Sequence, residues 1–440
     1  MALRYYIETF GCQMNVHDSE RMAGLLEAAG YEPAEDAAGA DLVVLNTCTV
    51  REKAGAKVYS RIGELRAGLP PGREPQVLAV AGCLAQQEGT GVFVRARTVD
   101  VVVGTHAGRR LPALAGAARL TGRRQIDVGP ADGEPFPLGV VRRSDPVKAY
   151  VTIIEGCDEV CAFCVVPRTR GAERMRPKAE ILAEVRDAVA GGRAEVHLLG
   201  QIVNHYRAPD DAGCDFAALL AEVDAVPGLR RVRFASPHPR HVGRRLIEAV
   251  RDLPRVCKHL HLPVQSGSSR VLAAMRRRHT REDYLALVAE LRSEIPGIHL
   301  STDLIVGFPG ETPEDFEETL SLVEAVGFHS MFSFKYSERP GTIAAKRYRD
   351  DVPEAEKARR LAELQGRQAA IQRRLLDAAV GSTVEVLVDG VSRRRHTELT
   401  GRTSGNVVVN FPGEASWLGT VVPVLVERAG RHSLRGARPS

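Results

Sequence analysis

The sequence has no run of eighteen apolar residues, and Met1 does not open a basic-then-apolar leader. Neither a membrane span nor a secretory signal is therefore expected, and the chain is expected to be cytoplasmic. Aromatic residues are scarce, 5% of 440 residues with a single tryptophan, so stacking recognition of bases is not obvious from composition. Charge of one sign is lacking as well. A net +5 neither demands nor excludes a nucleic-acid partner, because Lys and Arg can gather in one region. There is no internal repeat and no long low-complexity tract, so nothing points to a repeat array. What remains is a chain too long for one ordinary domain, 44% hydrophobic, with ample core and no need of disulfides. Its eight cysteines, without a signal peptide, point to a reducing compartment where thiols serve metals or catalysis.

The first hundred residues alternate between short apolar runs and helical patterns. Strands are expected at 4–9, 41–46, 76–81 and 99–103, with helical spacing in the two gaps between the first three. That alternation predicts βα units on an open parallel sheet. From about Gly104 to Pro146 periodicity weakens and Gly, Pro and Arg accumulate, as in GPADGEPFPLG, which reads as linker with a helix at 109–120. A second β/α series follows, with strands at 149–154, 195–200, 231–236, 259–264, 299–307 and 330–336 and five helical patterns between them. Six such units suggest a TIM-like barrel, complete or partial, with its site at the C-terminal strand ends. A polar helix at 353–379 leads into some sixty residues of short strands with glycine turns, the pattern of a small all-β, OB-like barrel. The fold class is α/β with this β-barrel appended.

Cys157, Cys161 and Cys164 lie in GCDEVCAFC, directly after the first barrel strand. Three thiolates on one tight loop can hold three irons of a 4Fe-4S cluster and leave the fourth open. S-adenosylmethionine (SAM) can chelate that open iron, and one electron can then split its C–S bond to release a 5′-deoxyadenosyl radical. The competing reading is zinc, which usually takes four ligands in paired knuckles. Cys12, Cys48 and Cys83 each follow the end of an N-terminal strand. Parallel strands present their C-terminal ends side by side in the ligand crevice, so these three should converge on a second three-thiolate cluster able to hold an exchangeable sulfur. Cys214 and Cys257 have no partner at metal spacing and read as structural.

Polar and glycine-rich turns end the other barrel strands. Gly200 and Gln201, with Asn204 nearby, follow the second. Ser236 and His238 follow the third, and Gln265, Ser266 and Gly267 the fourth. Asp303, Gly307 and Glu311 surround the turn of the fifth. Together they are candidate SAM contacts, as is Phe163, which can pack on adenine or belong to the core. His238 alone reads as a structural histidine. The runs Arg168, Arg170, Arg174 and Arg276–Arg278 are solvated faces or phosphate grips. The last sixty residues hold eight arginines and five acids, with Arg393–Arg395 clustered, a modest pointer to RNA.

With these residues in view, the sequence resembles the methylthiotransferases of the radical SAM superfamily. The resemblance rests on GCQMN (11–15), NTCTVREKA (46–54), CLAQQEG (83–89), CVVPRTRG (164–171), LPVQSGS (262–268) and IVGFPGET (305–312), with ELTGRT and VVNF near the end. It covers essentially the whole chain. It implies a cluster-binding domain at 1–118, a radical SAM core at 143–373 and an RNA-binding TRAM domain at 376–440. The wording of the first two motifs favours the branch whose substrate is N6-isopentenyladenosine at position 37 of tRNA. Alternatives are another modified tRNA adenosine, a ribosomal protein, or a non-enzymatic redox-sensing RNA-binding protein. The implied cofactors are two 4Fe-4S clusters and SAM. Two SAM molecules are consumed, one methylating a sulfur at the Cys12/Cys48/Cys83 cluster, the other supplying the radical that opens carbon 2. An electron donor of flavodoxin or ferredoxin type and a sulfur donor are implied partners, and a monomer is the default. Arg168 and Ile202 depart from the family pattern near the pocket.

Overall fold

The structure is a computed structural model and describes residues 2–49, 52–67, 76–130, 141–392 and 395–439, with only the backbone of 52–54. Most of the expected GPADGEPFPLG linker, residues 50–54 of NTCTVREKA (backbone of 52–54 apart), and Arg393 and Arg394 of the basic run lie outside the described residues. The chain divides into two compact units. The first comprises Met1–Ser144, Glu155–Glu159 and Val165–Arg174; the second comprises Asp145–Ile154, Val160–Cys164 and Met175–Ser440.

The first unit is built on one parallel sheet. Its strands are β1 (Arg4–Phe10), β2 (Glu32–Pro33), β3 (Leu42–Thr47), β4 (Val77–Gly82), β5 (Val101–Val103) and β6 (Gln125–Asp127), in the order β2-β1-β3-β4-β5-β6. β3 and β4 are buried along their whole length, which explains why they read as continuous apolar runs rather than alternating ones. Each face has its own core. Met22, Leu26, Leu111 and Ala115 pack against Val44 and Ala79 on one side. Val58, Ile62, Leu84 and Val92 pack against Val43 and Val80 on the other. The chain winds out from β1 in both directions, so the β1/β3 boundary is the topological switch point, where open α/β sheets hold ligands. The sheet also continues beyond the expected strands. β6 lies in the stretch read as linker and pairs with β5, residue for residue from Val101↔Gln125. Three residues with one apolar side chain carry too little pattern to be seen in sequence.

The second unit opens with β7 (Lys148–Thr152). After the short β8 (Ile154–Glu155) and β9 (Arg174–Met175), it continues through β10 (Glu195–Leu199), β11 (Arg231–Phe234), β12 (His259–His261), β13 (His299–Val306) and β14 (Ser330–Lys335). The long strands form two parallel sheets, β11-β10-β7 and β12-β13-β14, joined by a bridge from Val232 to Val256. The result is a partial barrel with β7 and β14 at its ends. Helices lie at Lys178–Ala190, Phe216–Asp224, Arg244–Asp252, Arg281–Glu294 and Pro313–Val326, close to the expected spans. Val151, Val196, Val232, Leu260 and Leu300 point outward into the core they share with these helices.

Alternation therefore turns the intervening residues inward, and these are polar. Arg233 Nε donates to Glu195 Oε2 at 2.9 Å, and His197 Nε2 lies 2.6 Å from Glu195 Oε1. His259 and His261 both meet the Ser301 hydroxyl at 2.9 Å, and His261 Nε2 is 3.3 Å from Asp303. A TIM barrel fills this space with layers of branched apolar side chains. Here it carries a hydrogen-bonded polar network.

The helix Glu354–Asp377 leads to a closed barrel of β15 (Thr383–Val391), β16 (Glu398–Thr403), β17 (Val408–Pro412), β18 (Val421–Ala429) and β19 (Ser433–Ala437), in the order β15-β16-β17-β19-β18. This small barrel seats the turn between β16 and β17 at the N-terminal ends of the larger arc. Arg233 donates to the carbonyls of Thr403 at 2.7 Å and Ser404 at 3.0 Å. Arg231 donates to Glu385 O at 3.0 Å, and Lys258 N to Ser404 Oγ at 2.8 Å. Gly405 lies so close to the His299 ring that a Cβ there would stand 2.4 Å from Nδ1.

Candidate functional site

In the first unit, Cys12, Cys48 and Cys83 stand just past the ends of β1, β3 and β4, two of them flanking the switch point. Cys48 N donates to Phe10 O at 2.8 Å, which carries the β1/β3 register into the two cysteine turns. The Cys12 thiol lies within 3.4 Å of Asn15 Oδ1. A hydrogen bond with Cys48 pulls the Cys12 thiol below its ordinary range against the opposing effect of burial, and the charge of Arg170 adds to the pull. Burial pushes the Cys83 thiol up, and Arg170 counteracts part of that rise. One buried guanidinium thus faces two of the three thiols, while the third is bonded to one of them. Arg170 is anchored by Asp18 at 2.6 Å.

Two glycines permit this approach. A Cβ on Gly11 would stand 2.8 Å from Cys48 Cβ, and one on Gly82, where φ is +87°, would stand 2.3 Å from Asn46 Oδ1. Beneath the thiols runs a buried polar floor. Asn46 Nδ2 donates to Asn15 O at 2.8 Å and to Ser19 Oγ at 2.9 Å, and Ser19 meets Thr9 at 2.7 Å. Sulfur donors converging beside a cation, above satisfied amides, fit an iron–sulfur cluster, because hydrogen bonds and local charge offset its anionic character.

The GCDEVCAFC loop is shared, Cys157 belonging to the first unit and Cys161 and Cys164 to the second. Cys157 is buried and its N–H donates to Gly171 O at 3.1 Å. Cys161 and Cys164 are partly exposed, in a turn closed by Cys164 N to Cys161 O at 3.1 Å. Arg277 Nη1 lies 3.5 Å from Cys161 Sγ, while its Nη2 donates to Pro263 O at 2.8 Å. The guanidinium is buried, and its neighbours Arg276 and Arg278 hold φ of +58° and +56°. Non-glycine residues in this region are uncommon and gather at functional sites. Ser236 (φ +59°) and Gln265 (φ +78°) share the feature and stand at successive strand ends of the arc.

The other expected SAM contacts fall as follows. Gln265 is buried and bonds through its backbone to Asp303 O and Ile305 N, both at 2.9 Å. Ser266 is buried with its hydroxyl 3.5 Å from Thr319 Oγ1. Gly200 ends β10 close to Ile154 and Val203, and Gln201 beside it is partly exposed. Gly307 N donates to Glu311 Oε2 at 2.7 Å, and Arg360 holds that carboxylate from the other side at 2.9 Å. Asp303 lies mid-strand and turns inward to His261. Phe163 packs in an apolar cluster with Phe308, Met275 and Tyr336. His238 is clamped by Asn204 through its backbone at 2.8 and 3.0 Å, and burial draws its pKa down to about 2, so it is neutral.

The structure revises two readings. Arg170 and Arg277 are not phosphate grips: Asp18 and Cys161 with Pro263 take them inside, whereas Arg174 pairs with Glu155 at 2.6 Å and stays 41% exposed. Cys214, expected to have no metal-type partner, shares a group with Asp211 and Glu222. Lys178 already fills it, at 2.8 and 2.7 Å from the two carboxylates. Ile202 is core.

Family models match the chain in three blocks: Uncharacterized protein family UPF0004 over 4–104, the Radical SAM superfamily over 151–323 and the TRAM domain over 377–437. Over 435 residues the chain is 46% identical to the tRNA-2-methylthio-N(6)-dimethylallyladenosine synthase of Geotalea uraniireducens, covering 98% of both chains. It is also 46% identical to the protein of that name from Solibacter usitatus, covering 98% of this chain and 97% of that one. The chain belongs to the radical SAM family of tRNA-2-methylthio-N(6)-dimethylallyladenosine synthases. Among solved structures, the radical SAM methyltransferase TsrM from Kitasatospora setae shares the fold, with a TM-score of 0.57 at 16% identity over 78% of this chain and 74% of that one. Membership in this synthase family makes the chain a radical SAM enzyme, and the superfamily implies a 4Fe-4S cluster and SAM. No helix among the described residues is long and apolar enough to cross a membrane.

Proposed function

We propose that this enzyme transfers a methylthio group to carbon 2 of N6-isopentenyladenosine at position 37 of tRNA, at a cost of two SAM. The observation that carries the reading is the convergence of Cys12, Cys48 and Cys83 at the switch point, around Arg170, in a chain that also bears the C-x-x-x-C-x-x-C loop. The names of relatives 46% identical over nearly the whole chain supply the substrate.

In this reading Cys157, Cys161 and Cys164 hold one 4Fe-4S cluster and Cys12, Cys48 and Cys83 a second. When bound, these clusters and SAM supply one-electron radical chemistry and a place for the sulfur, which an aromatic C–H requires because it has no acid–base route at neutral pH. The chain's own residues do the rest. Arg170 compensates thiolate charge at the second set. Asn15 and Asn46 fix the turns that carry Cys12 and Cys48. Arg277 orients Cys161. Phe163, Gly200, Gln201, Ser236, Gln265, Ser266 and Gly307 form the SAM rim, while Asp303, also expected there, faces the interior of the arc beside His261. Residues 1–118, 143–373 and 376–440 are the working domains, the last contacting tRNA. A flavodoxin- or ferredoxin-type electron donor, a sulfur donor, a monomeric state and a cytoplasmic location complete the proposal.

The test is mass spectrometry of tRNA nucleosides from cells with and without the gene. Loss of 2-methylthio-isopentenyladenosine with accumulation of isopentenyladenosine is the expected result. An unchanged nucleoside profile would refute the substrate and direct attention to other adenosines and then to ribosomal proteins.

A further inference from the structure

Phe332 and Phe334 are 53% and 38% exposed, and among the described residues they are the only exposed Phe, Tyr or Trp side chains. Both lie on one face of β14, two residues apart. The parallel ladder sets Phe332 opposite Asp303 and Phe334 opposite Ile305, so the pair shares the inward face of the arc. The His261 ring stands edge-on to Phe332 at 6.0 Å, and its Nε2 is 3.3 Å from Asp303. The other face of β14 is covered. Met331 packs into the core, and Ser333 accepts a hydrogen bond from Gln365 at 3.2 Å. A strand packed behind and bare in front, with two phenyl rings beside a carboxylate, is an unusual surface for a protein to leave open.

We propose that the inward face of β14 receives the substrate's adenine and its N6-alkyl group, Phe332 and Phe334 providing the stacking and apolar contacts and Asp303 the polar one. The inference rests on the reading of the substrate as an N6-alkylated adenosine. The chemistry selects the base over the backbone. Phenyl rings stack on a flat purine and cover an alkyl chain. A carboxylate repels phosphate, yet it accepts a hydrogen bond from the remaining N6–H. Asp303 is thereby assigned to the base and not to SAM.

The test uses the full chain with its clusters reconstituted and two RNA probes. These are an anticodon stem-loop carrying N6-isopentenyladenosine at position 37 and the same stem-loop with adenosine. The wild type is expected to bind the first more tightly. Phe332→Ala with Phe334→Ala should erase about tenfold of that preference, the modified probe losing stacking and alkyl contacts and the unmodified one only stacking. Phe332→Trp should retain it, and because both side chains are exposed, thermal unfolding should not move. A preference unchanged in the double variant overturns this placement. A wild type without any preference overturns the substrate reading itself.

Discussion

Arg233 offers the sharpest test of how the second unit is held together. Its side chain is 5% exposed and its three nitrogens each have a partner: Glu195 at 2.9 Å, Thr403 O at 2.7 Å and Ser404 O at 3.0 Å. Burial alone would raise the Glu195 pKa, but Arg233 and His197 more than reverse this and hold the carboxyl well below its ordinary range. Arg233→Ala leaves a buried carboxylate with only His197 and deprives two carbonyls of charged donors. Breaking a buried pair in this way costs about 3–5 kcal/mol. Lost carbonyl bonds add to that, and protonation of Glu195 relieves part of it, so about 4 kcal/mol is expected in urea unfolding. Glu195→Gln with Arg233→Met removes both charges at similar volume and should recover more than half. The sign with pH follows from the lowered carboxyl. Its contribution is full above the unfolded-state pKa and is lost as pH falls through the folded one, so Glu195→Gln should flatten the acid side of the stability profile. A cost under about 1 kcal/mol for Arg233→Ala, or a double variant as unstable as the single one, would refute the argument.

Three further outcomes are expected. Gly82→Ala, with φ at +87° and its Cβ forced 2.3 Å from Asn46 Oδ1, should cost about 2 kcal/mol or more and lower the melting temperature. Cys48→Ala should reduce iron in anaerobically reconstituted protein from about eight to about four per chain and spare SAM cleavage, whereas Cys157→Ala should abolish that cleavage. Equal loss of cleavage in both, with intact folding, would contradict the division of labour. Arg277→Gln removes a charged donor from Cys161 and should make the potential of that cluster more negative by about 1 kcal/mol, on the order of 40 mV. Arg277→Lys should restore part of the shift in an EPR-monitored titration, and an unmoved potential would show that the contact is packing only.

Most of the scaffold was legible because its signals are local. Runs such as LVVLN and VLAVA have strand length and are followed two residues on by a cysteine, and parallel sheets bring such ends together. The helices Lys178–Ala190 and Pro313–Val326 fall where the 3.6-residue period placed them. Arginine was the blind spot. Arg170 and Arg277 sit in basic runs that look like solvated surface, and only the fold shows that Asp18, 152 residues away, and Cys161, 116 residues away, enclose them. Asn15 and Asn46 lay inside the motifs GCQMN and NTC, but a single sequence cannot show which letter of a motif bears a contact. The polar interior of the arc was present in the alternation of EVHLL, RVRF and HLHL, and was masked by their overall apolar character.

The turn between β16 and β17 acts as a cork in the lower mouth of the larger arc. A chain truncated near Gly381 would therefore not be the same catalyst minus the tRNA contact proposed for the small barrel. It would leave Arg231, Arg233 and Lys258 stripped of the acceptors that the small barrel provides, and His299 uncovered. Weak activity in such a truncation would report a damaged floor as readily as a missing tRNA contact. Single substitutions on the outer strands of the small barrel, away from Thr403–Gly405, separate the two effects.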